Sequence, residues 1–428
     1  MSRSPILDEL SERGCLFQTT DEAGISDLLS SKRATVYLGI DPTADSLHLG
    51  HLLPLLTLRR LQRAGHRPLV VLGGATGLIG DPSGKFSERI MQSPEAVEHA
   101  AESIRHQIGR FLDLGDRPEG ARILNNRDWI APLGVIPFLR DVGRHFSMGS
   151  MLGKESVRTR LGSEGTGLSY TEFSYHLLQA FDFDHLCRTE GCRLQLGGSD
   201  QWGNITAGIE LIRRRQGLEA YGLTLPLVTT ASGSKLGKTE SGTLWLDGRR
   251  TAPYAFYQYL LQVEDRDVGR LLRYFSENGC AAIRSIEAEQ QKEPEKRLAQ
   301  KNLARELTVL VHGSSETDRV IRVSETLFEG HSIDDLDRAS FELLESVIPG
   351  RVVGASSDGW ELAELLVASG LVTSKSRARS DIQAGAVSVN QHRMDAVGTR
   401  IVKDDFLWGQ YLLLRCGRRH YAWVRLEG

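Results

Sequence analysis

Five short apolar runs, each separated from the next by turn residues and an amphipathic stretch, limit what the N-terminal half of this chain can fold into. They are ATVYLGI (34–40), RPLVVLGG (67–74), ARILNN (121–126), CRLQLGG (192–198) and LTLPLVTT (223–230). Such runs read as strands buried on both faces. With helical patterns between them they predict an α/β domain with a mainly parallel sheet. The first run is followed by the turn DPTADS, after which Leu49, Leu52, Leu53 and Leu56 recur at the helical period. Arg59, Arg60 and Arg63 crowd the far end of that helix, where its dipole is negative, and Gly65 fits a C-terminal cap.

From about Asp247 the strand signals stop. Residues 253–345 are mostly helical in pattern, with charged faces, and PGRVVGASSDG (349–359) has linker composition. At 428 residues the chain is too long for one average core. No apolar run approaches the roughly 18 residues of a membrane span, and MSRSPILDELSERG has no apolar centre of the signal-peptide kind. The five cysteines are scattered without zinc spacing, which fits a reduced, cytoplasmic protein. The net charge is −3, so a nucleic-acid partner needs a local basic patch. From Gly370 to the end there are ten Lys/Arg against five Asp/Glu, a local net of +5.

Five stretches carry chemistry. HLGH, residues 48–51, opens a helix just beyond a strand, where free N–H groups and the helix dipole suit a phosphate. His48 and His51 add donors there, and Gly50 lets a flat ring approach the backbone. Taken alone the two histidines fit capping or core roles better than phosphate contacts, and no cluster of further ligands suggests a metal. SKLGKT, residues 234–239, puts Lys235 and Lys238 in a glycine-containing loop, suited to a polyphosphate or simply to solvent. On the helix YTEFSYHLLQAFDF (170–183), Thr171, Tyr175, Gln179 and Asp182 share one face. Uncharged hydrogen-bonders with one acid suit a pocket for a small polar molecule better than a solvated stripe. LQLGGSDQWGN (194–204) is a strand, two glycines and a helix cap, in which Gly198 and Asp200 suit a nucleotide. SKSRARSDIQAGAVSVNQ (374–391) reads as a helix bearing Lys375, Arg377 and Arg379, then a short strand. It is either a phosphate-backbone surface or a solvated basic face.

Together these stretches resemble one family, the bacterial tyrosyl-tRNA synthetases, over nearly the whole length. HLGH resembles the HIGH signature of class I aminoacyl-tRNA synthetases, and KLGKT stands where that class carries KMSKS. YLGIDPTADSLHLGH, GATGLIGDPSGK and QLGGSDQWGNI are family-specific, and the tail resembles an S-four-type RNA-binding domain. The resemblance implies an α/β fold with a Rossmann-like parallel-sheet catalytic domain (1–246). An α-helical anticodon-recognition domain (247–350) and a linker with a small α+β S-four-like RNA-binding domain (351–428) would follow.

It implies a tyrosine–tRNA ligase that forms tyrosyl-adenylate from L-tyrosine and ATP with Mg²⁺ and then charges tRNA(Tyr). It also implies a cytoplasmic homodimer without membrane or DNA partners. By resemblance Tyr37 and Asp182 hold the phenol hydroxyl, and Asp81, Tyr175 and Gln179 the α-amino group. Gln195 and Gln201 line the carboxylate side. Gly39, Asp41, Gly50, Gly198 and Asp200 contact nucleotide and ribose. His48, His51, Lys235, Lys238 and Thr239 hold phosphates, with Lys85 and Arg89 from the loop after GDPSG. Leu38 and Pro54 depart from the family pattern on the ATP side. The competing expectations are a tryptophanyl-type enzyme, an adenylyltransferase on the same scaffold, or an RNA-binding protein on an inactive one.

Overall fold

A computed structural model describes residues 3–31, 33–83, 91–153, 157–158, 168–239, 242–354, 356, 358–417 and 420–427. Its packing forms two units, Met1–Ala252 with Gln258–Val311, and Pro253–Tyr257 with His312–Gly428. Among the described residues, no helix is long and apolar enough to cross a membrane.

The first unit is built on a sheet of β1 (Gln18–Thr19), β2 (Thr35–Ile40), β3 (Arg67–Leu72), β4 (Arg122–Asn125), β5 (Leu194–Gly198) and β6 (Tyr221–Leu225). The spatial order is β1-β6-β5-β2-β3-β4. β2 to β6 are parallel, and β1 closes one edge antiparallel to β6. The five expected strands are therefore present. The fifth is displaced: expected over 223–230, it runs Tyr221–Leu225 and stops before Pro226, which has no N–H for a ladder. β1 was not foreseen, because two residues carry no readable pattern.

The chain passes from β2 to β3 and β4 on one side and returns to β5 and β6 on the other. The point where the order reverses, between β2 and β5, is where an open parallel sheet leaves a crevice beyond its strand ends. Three helices frame it: α1 (Leu52–Arg63), α2 (Tyr170–Glu190) and α3 (Trp202–Gln216). Ser169 caps α2 by accepting from Glu172 N–H, and Gly191 ends it in the left-handed conformation. Phe183 and Leu186 of α2 and Ile212 of α3 pack on Tyr37, Leu69 and Val71 of the sheet, so the core fixes α2 against β2. A small hairpin, β7 (Lys238–Thr239) with β8 (Gly242–Thr243), and helix α4 (Asp265–Phe275) complete what the site needs.

The second unit carries β9 (Gly350–Val353), β11 (Val387–Val389), β12 (His392–Met394), β14 (Tyr411–Cys416) and β15 (His420–Leu426) in the order β12-β11-β14-β15-β9. A two-stranded pair, β10 (Trp360–Glu361) and β13 (Arg400–Ile401), lies beside it in sequence. Leu362 and Leu366 of α5 (Leu362–Ala368) and Ile382 of α6 (Lys375–Gln383) share a core with Leu412, Leu414 and Val424. The stretch 349–359, expected as a linker, is corrected here: it contains β9, which pairs parallel with β15. Gly350 signals close packing there, because a Cβ on it would lie 2.1 Å from the Trp423 ring.

Candidate active site

At the crevice lies a cavity of about 440 Å³. Tyr37 and Gly39 reach it from β2, Gln195 and Gly198 from β5, Tyr175, Gln179 and Asp182 from α2, and Asp41, Asp81, Asp200 and Gln201 from the turns past the strands. His48, Gly50, His51 and Lys235 also line it. One pocket thus collects residues separated by nearly 200 positions. Thr171, expected on the same helical face, does not line it. Of Lys238 and Thr239 only the backbone, in β7, is described, and Lys85 and Arg89 lie outside the described residues.

One end is built around a buried acid. Asp182 accepts from Trp129 Nε1–H at 2.7 Å and from Asn126 Nδ2–H at 3.0 Å, and is 2% exposed. Burial pushes its carboxyl up to about 7, against the two donors, which favour the anion. Tyr37, also buried, lies on the adjoining wall. Burial, helped by the charges of Asp182 and Asp41, holds its phenol well above the usual range, so it stays a donor. Asn126 also donates to Thr76 Oγ1 at 2.9 Å, Thr76 donates to Asp41 at 2.7 Å, and Tyr175 donates to the other Asp41 oxygen at 2.8 Å. Having donated its proton to Asp41, the Tyr175 oxygen keeps lone pairs for a cation.

Beside this, Gln179 donates to Gln201 Oε1 at 3.2 Å and Gln201 donates to Asp81 at 2.7 Å. Asn204 donates to both Gln179 and Gln201. This amide chain ends on a carboxylate and orients each carbonyl. Gln195 Oε1 is buried with no hydrogen-bond partner among the described residues, an acceptor in want of a donor.

The histidines line the same cavity. Leu49–His51 form one 3₁₀ turn that leads into α1. His48 Nδ1 accepts from Gly50 N–H and His51 Nδ1 accepts from His48 N–H, both at 3.1 Å. The rings stack with centroids 3.9 Å apart. With both Nδ1 atoms as acceptors, a neutral ring carries its proton on Nε2. Burial, then the neighbouring His48, holds His51 well below its usual range and keeps it neutral. His51 is therefore a neutral N–H donor, stacked on His48 at a helix start. Gly50 answers to a packing need as well, since a Cβ would sit 3.0 Å from the His48 ring. Asp200 is raised by burial and by the charge of Asp81, and lowered by Lys235, which brings that lysine within electrostatic reach of the cavity floor.

Sequence reasoning missed Asn126, Trp129, Thr76 and Asn204. The signal available was Asn126, the first residue past β4, at the strand ends where ligands bind.

In the second unit Lys375, Arg377 and Arg379 all lie on α6, as expected, and are exposed. Each also pairs with an acid: Lys375 with Glu364 at 2.6 Å, Arg377 with Asp381 at 2.9 Å and Arg379 with Glu361 at 3.0 Å.

The family model for tRNA synthetases class I (W and Y) matches residues 29–329, and that for the tyrosine–tRNA ligase SYY-like C-terminal domain matches 345–424. The tyrosine–tRNA ligase of Geobacillus stearothermophilus is 52% identical over 423 residues, covering 98% of this chain and 99% of that protein. That of Roseiflexus castenholzii is 50% identical over 425 residues, covering 98% and 99%. Among solved structures, a C-terminally truncated mitochondrial tyrosyl-tRNA synthetase of Aspergillus nidulans superposes with a TM-score of 0.69 at 30% identity, covering 76% of this chain and 94% of that one. On these matches the chain belongs to the tyrosine–tRNA ligase family of the class I tRNA synthetases.

Proposed function

We propose that the chain activates L-tyrosine with ATP and transfers the tyrosyl group to tRNA(Tyr). The observation that carries this reading is Asp182, a buried carboxylate held by two donors beside the Tyr37 phenol, in a cavity that the histidine pair also lines. In this reading Asp182 and Tyr37 hold the phenol hydroxyl, Asp81, Tyr175 and Gln179 the ammonium, and Gln195 and Gln201 the carboxylate side. Gly39, Asp41, Gly50, Gly198 and Asp200 take the nucleoside. His48, His51, Lys235, Lys238 and Thr239, with Lys85 and Arg89, take the phosphates of Mg·ATP.

A tyrosine carboxylate oxygen attacks the α-phosphorus, the bond to the bridging oxygen breaks, and its electron pair leaves on pyrophosphate. The nucleophile is already ionised, so no general base is needed, and catalysis comes from positioning and charge stabilisation. A terminal ribose hydroxyl of the tRNA then attacks the adenylate carbonyl and AMP leaves.

The test is pyrophosphate exchange into ATP. It should depend on tyrosine and be absent with tryptophan or phenylalanine. Exchange that no amino acid stimulates would overturn the reading.

The domain roles follow: 1–246 catalytic, 247–350 for the anticodon, and the tail for RNA through Lys375, Arg377 and Arg379. A homodimer is part of the proposal, supported by the exposed apolar side chains of Val135, Ile136, Leu139, Met148 and Leu152, close together in sequence. A cytoplasmic location fits the five unpaired cysteines.

Pro54 is the third residue of α1, within the first turn, where an α-helix has no internal acceptor for its N–H groups. Its missing donor therefore costs the helix little, and its fixed φ pre-organises the turn beside the histidines. Pro54→Thr should raise the KM for ATP about two- to fivefold and leave the KM for tyrosine unchanged, the effect expected of losing backbone restraint. Steady-state exchange at varied ATP checks it.

A further inference from the structure

We propose that Asp267, Arg270 and Tyr259 are positioning residues that hold the Lys235 loop in its working place and so set the rate of adenylate formation. This rests on the function proposed above.

The loop is a short hairpin. Leu236 N–H donates to Val228 O at 2.9 Å and Thr230 N–H to Ser234 O at 2.8 Å, and Lys235 bridges to Thr229 across it. Its tip is exposed, and Lys235, also exposed, faces the cavity. The loop's further internal bonds, Gly233 N–H to Thr230 O at 2.9 Å and the Thr230, Ser232 and Ser234 hydroxyls with one another, tie the tip to itself and leave its place over the cavity to contacts from outside.

Both arms are gripped from outside. On the rising arm, Arg270 of α4 donates to Thr229 O at 2.6 Å and Asp267 accepts from Ala231 N–H at 3.0 Å. Arg270 and Asp267 also pair with each other at 2.7 Å, and Asp267 is only 3% exposed. On the falling arm, Gly237 N–H donates to the Tyr259 hydroxyl at 2.8 Å. Lys235 lies between the two grips. None of the three residues lines the cavity, so they act through the loop and not on substrate.

The same helix holds the other signature element. At its C-terminal end, Arg60 of α1 donates to Tyr274 O at 2.9 Å and Ser276 O at 3.0 Å. Thus the α4 segment touches both the far end of the histidine helix and the lysine loop, while Leu49 N–H to Leu244 O at 3.1 Å ties the histidine turn itself to the chain after that loop. An ammonium placed on charge that grows in the transition state speeds the step without tightening ground-state binding. Loosening the grips should therefore lower kcat and spare KM.

The experiment is single-turnover tyrosyl-adenylate formation with Tyr259→Phe, Arg270→Gln and Lys235→Ala, alone and combined. Tyr259→Phe removes one oxygen and is the variant least able to disturb folding. It should slow the step roughly five- to tenfold, and Arg270→Gln roughly ten- to thirtyfold, with both KM values within about twofold. Arg270→Lys, which keeps a donor, should recover part of the rate. In the Lys235→Ala background each change should cost clearly less than it does alone, because one of the groups they position is gone.

Rates within twofold of the unaltered chain for both single variants, while Lys235→Ala is slow, would overturn the positioning role alone. So would full additivity with Lys235→Ala. Absence of tyrosine-dependent exchange by the unaltered chain would instead overturn the proposed function, and this inference with it.

Discussion

Asp182→Ala is expected to lower kcat/KM for tyrosine in pyrophosphate exchange by about 10²–10³-fold while the KM for ATP stays within about threefold. The substrate phenol forfeits a hydrogen bond to a charged acceptor, which contributes about 1.5–3 kcal/mol. The Trp129 and Asn126 donors, left without their acceptor, carry a desolvation cost in the free protein too, so it falls on folding stability and not on kcat/KM. The chain Asn126–Thr76–Asp41–Tyr175 begins at the same carboxylate, so part of the loss should come from misplacing Tyr175. Unchanged tyrosine kinetics would remove the pocket assignment. The same burial explains why phenylalanine should fail: it would leave Asp182 and Tyr37 unsatisfied, and tyrosyl-tRNA synthetases are themselves the standard illustration of that rule.

The acid also sets a pH dependence whose sign is fixed. Its carboxyl is raised from 3.8 to about 7, so the unliganded site holds a proton that the unfolded chain has lost. A group raised in this way contributes stability fully below its unfolded value and loses it as the pH climbs through the folded one. Tyrosine binding works the other way, because a donated phenol proton favours the anion. The kcat/KM for tyrosine should therefore rise with pH about a midpoint near 7, and Asp182→Asn should flatten that limb. Binding near neutral pH should release a proton, measurable as a buffer-dependent heat.

The parallel sheet could be read from the sequence because each of its central strands is a buried run long enough to stand out. The edge strand β1 and the added strand β9 could not: β1 is two residues long, and β9 has the glycine-rich composition of a linker. A glycine reads the same whether it frees a chain or admits an indole, and only the partner Trp423, more than 70 residues on, tells the two apart. The polar face of α2 was legible from helical spacing alone, but not the partners of Asp182. Asn126 and Trp129 lie on a neighbouring strand end and its following turn, and no periodicity ties them to position 182. Charge counting failed in a related way. The basic window began at Gly370, and two of the acids that pair with α6, Glu361 and Glu364, stand just before it.

Removing residues 349–428 is expected to leave tyrosyl-adenylate formation within about twofold and to cut tRNA charging by about 10²–10³-fold, the scale of losing several phosphate contacts at moderate salt. The cut must fall before β9, because a chain ending at 354 would keep that strand without β15, its only sheet partner among the described residues. Every residue lining the cavity precedes Asp247, so the chemistry of the first step loses nothing from it. The ion pairs on α6 sharpen the expectation. A phosphate reaching Lys375, Arg377 or Arg379 must displace Glu364, Asp381 or Glu361, so these side chains give less than bare cations would. Replacing all three by glutamine should therefore cost charging less than the deletion does and reduce the salt slope by fewer than three contacts. Arg351, Arg393 and Lys403, exposed and without an ion pair among the described residues, should each reduce it by about one. Charging measured against salt for the deletion and for both sets of variants separates these outcomes. A deletion that charges tRNA at the full rate would show that the tail does not hold the RNA.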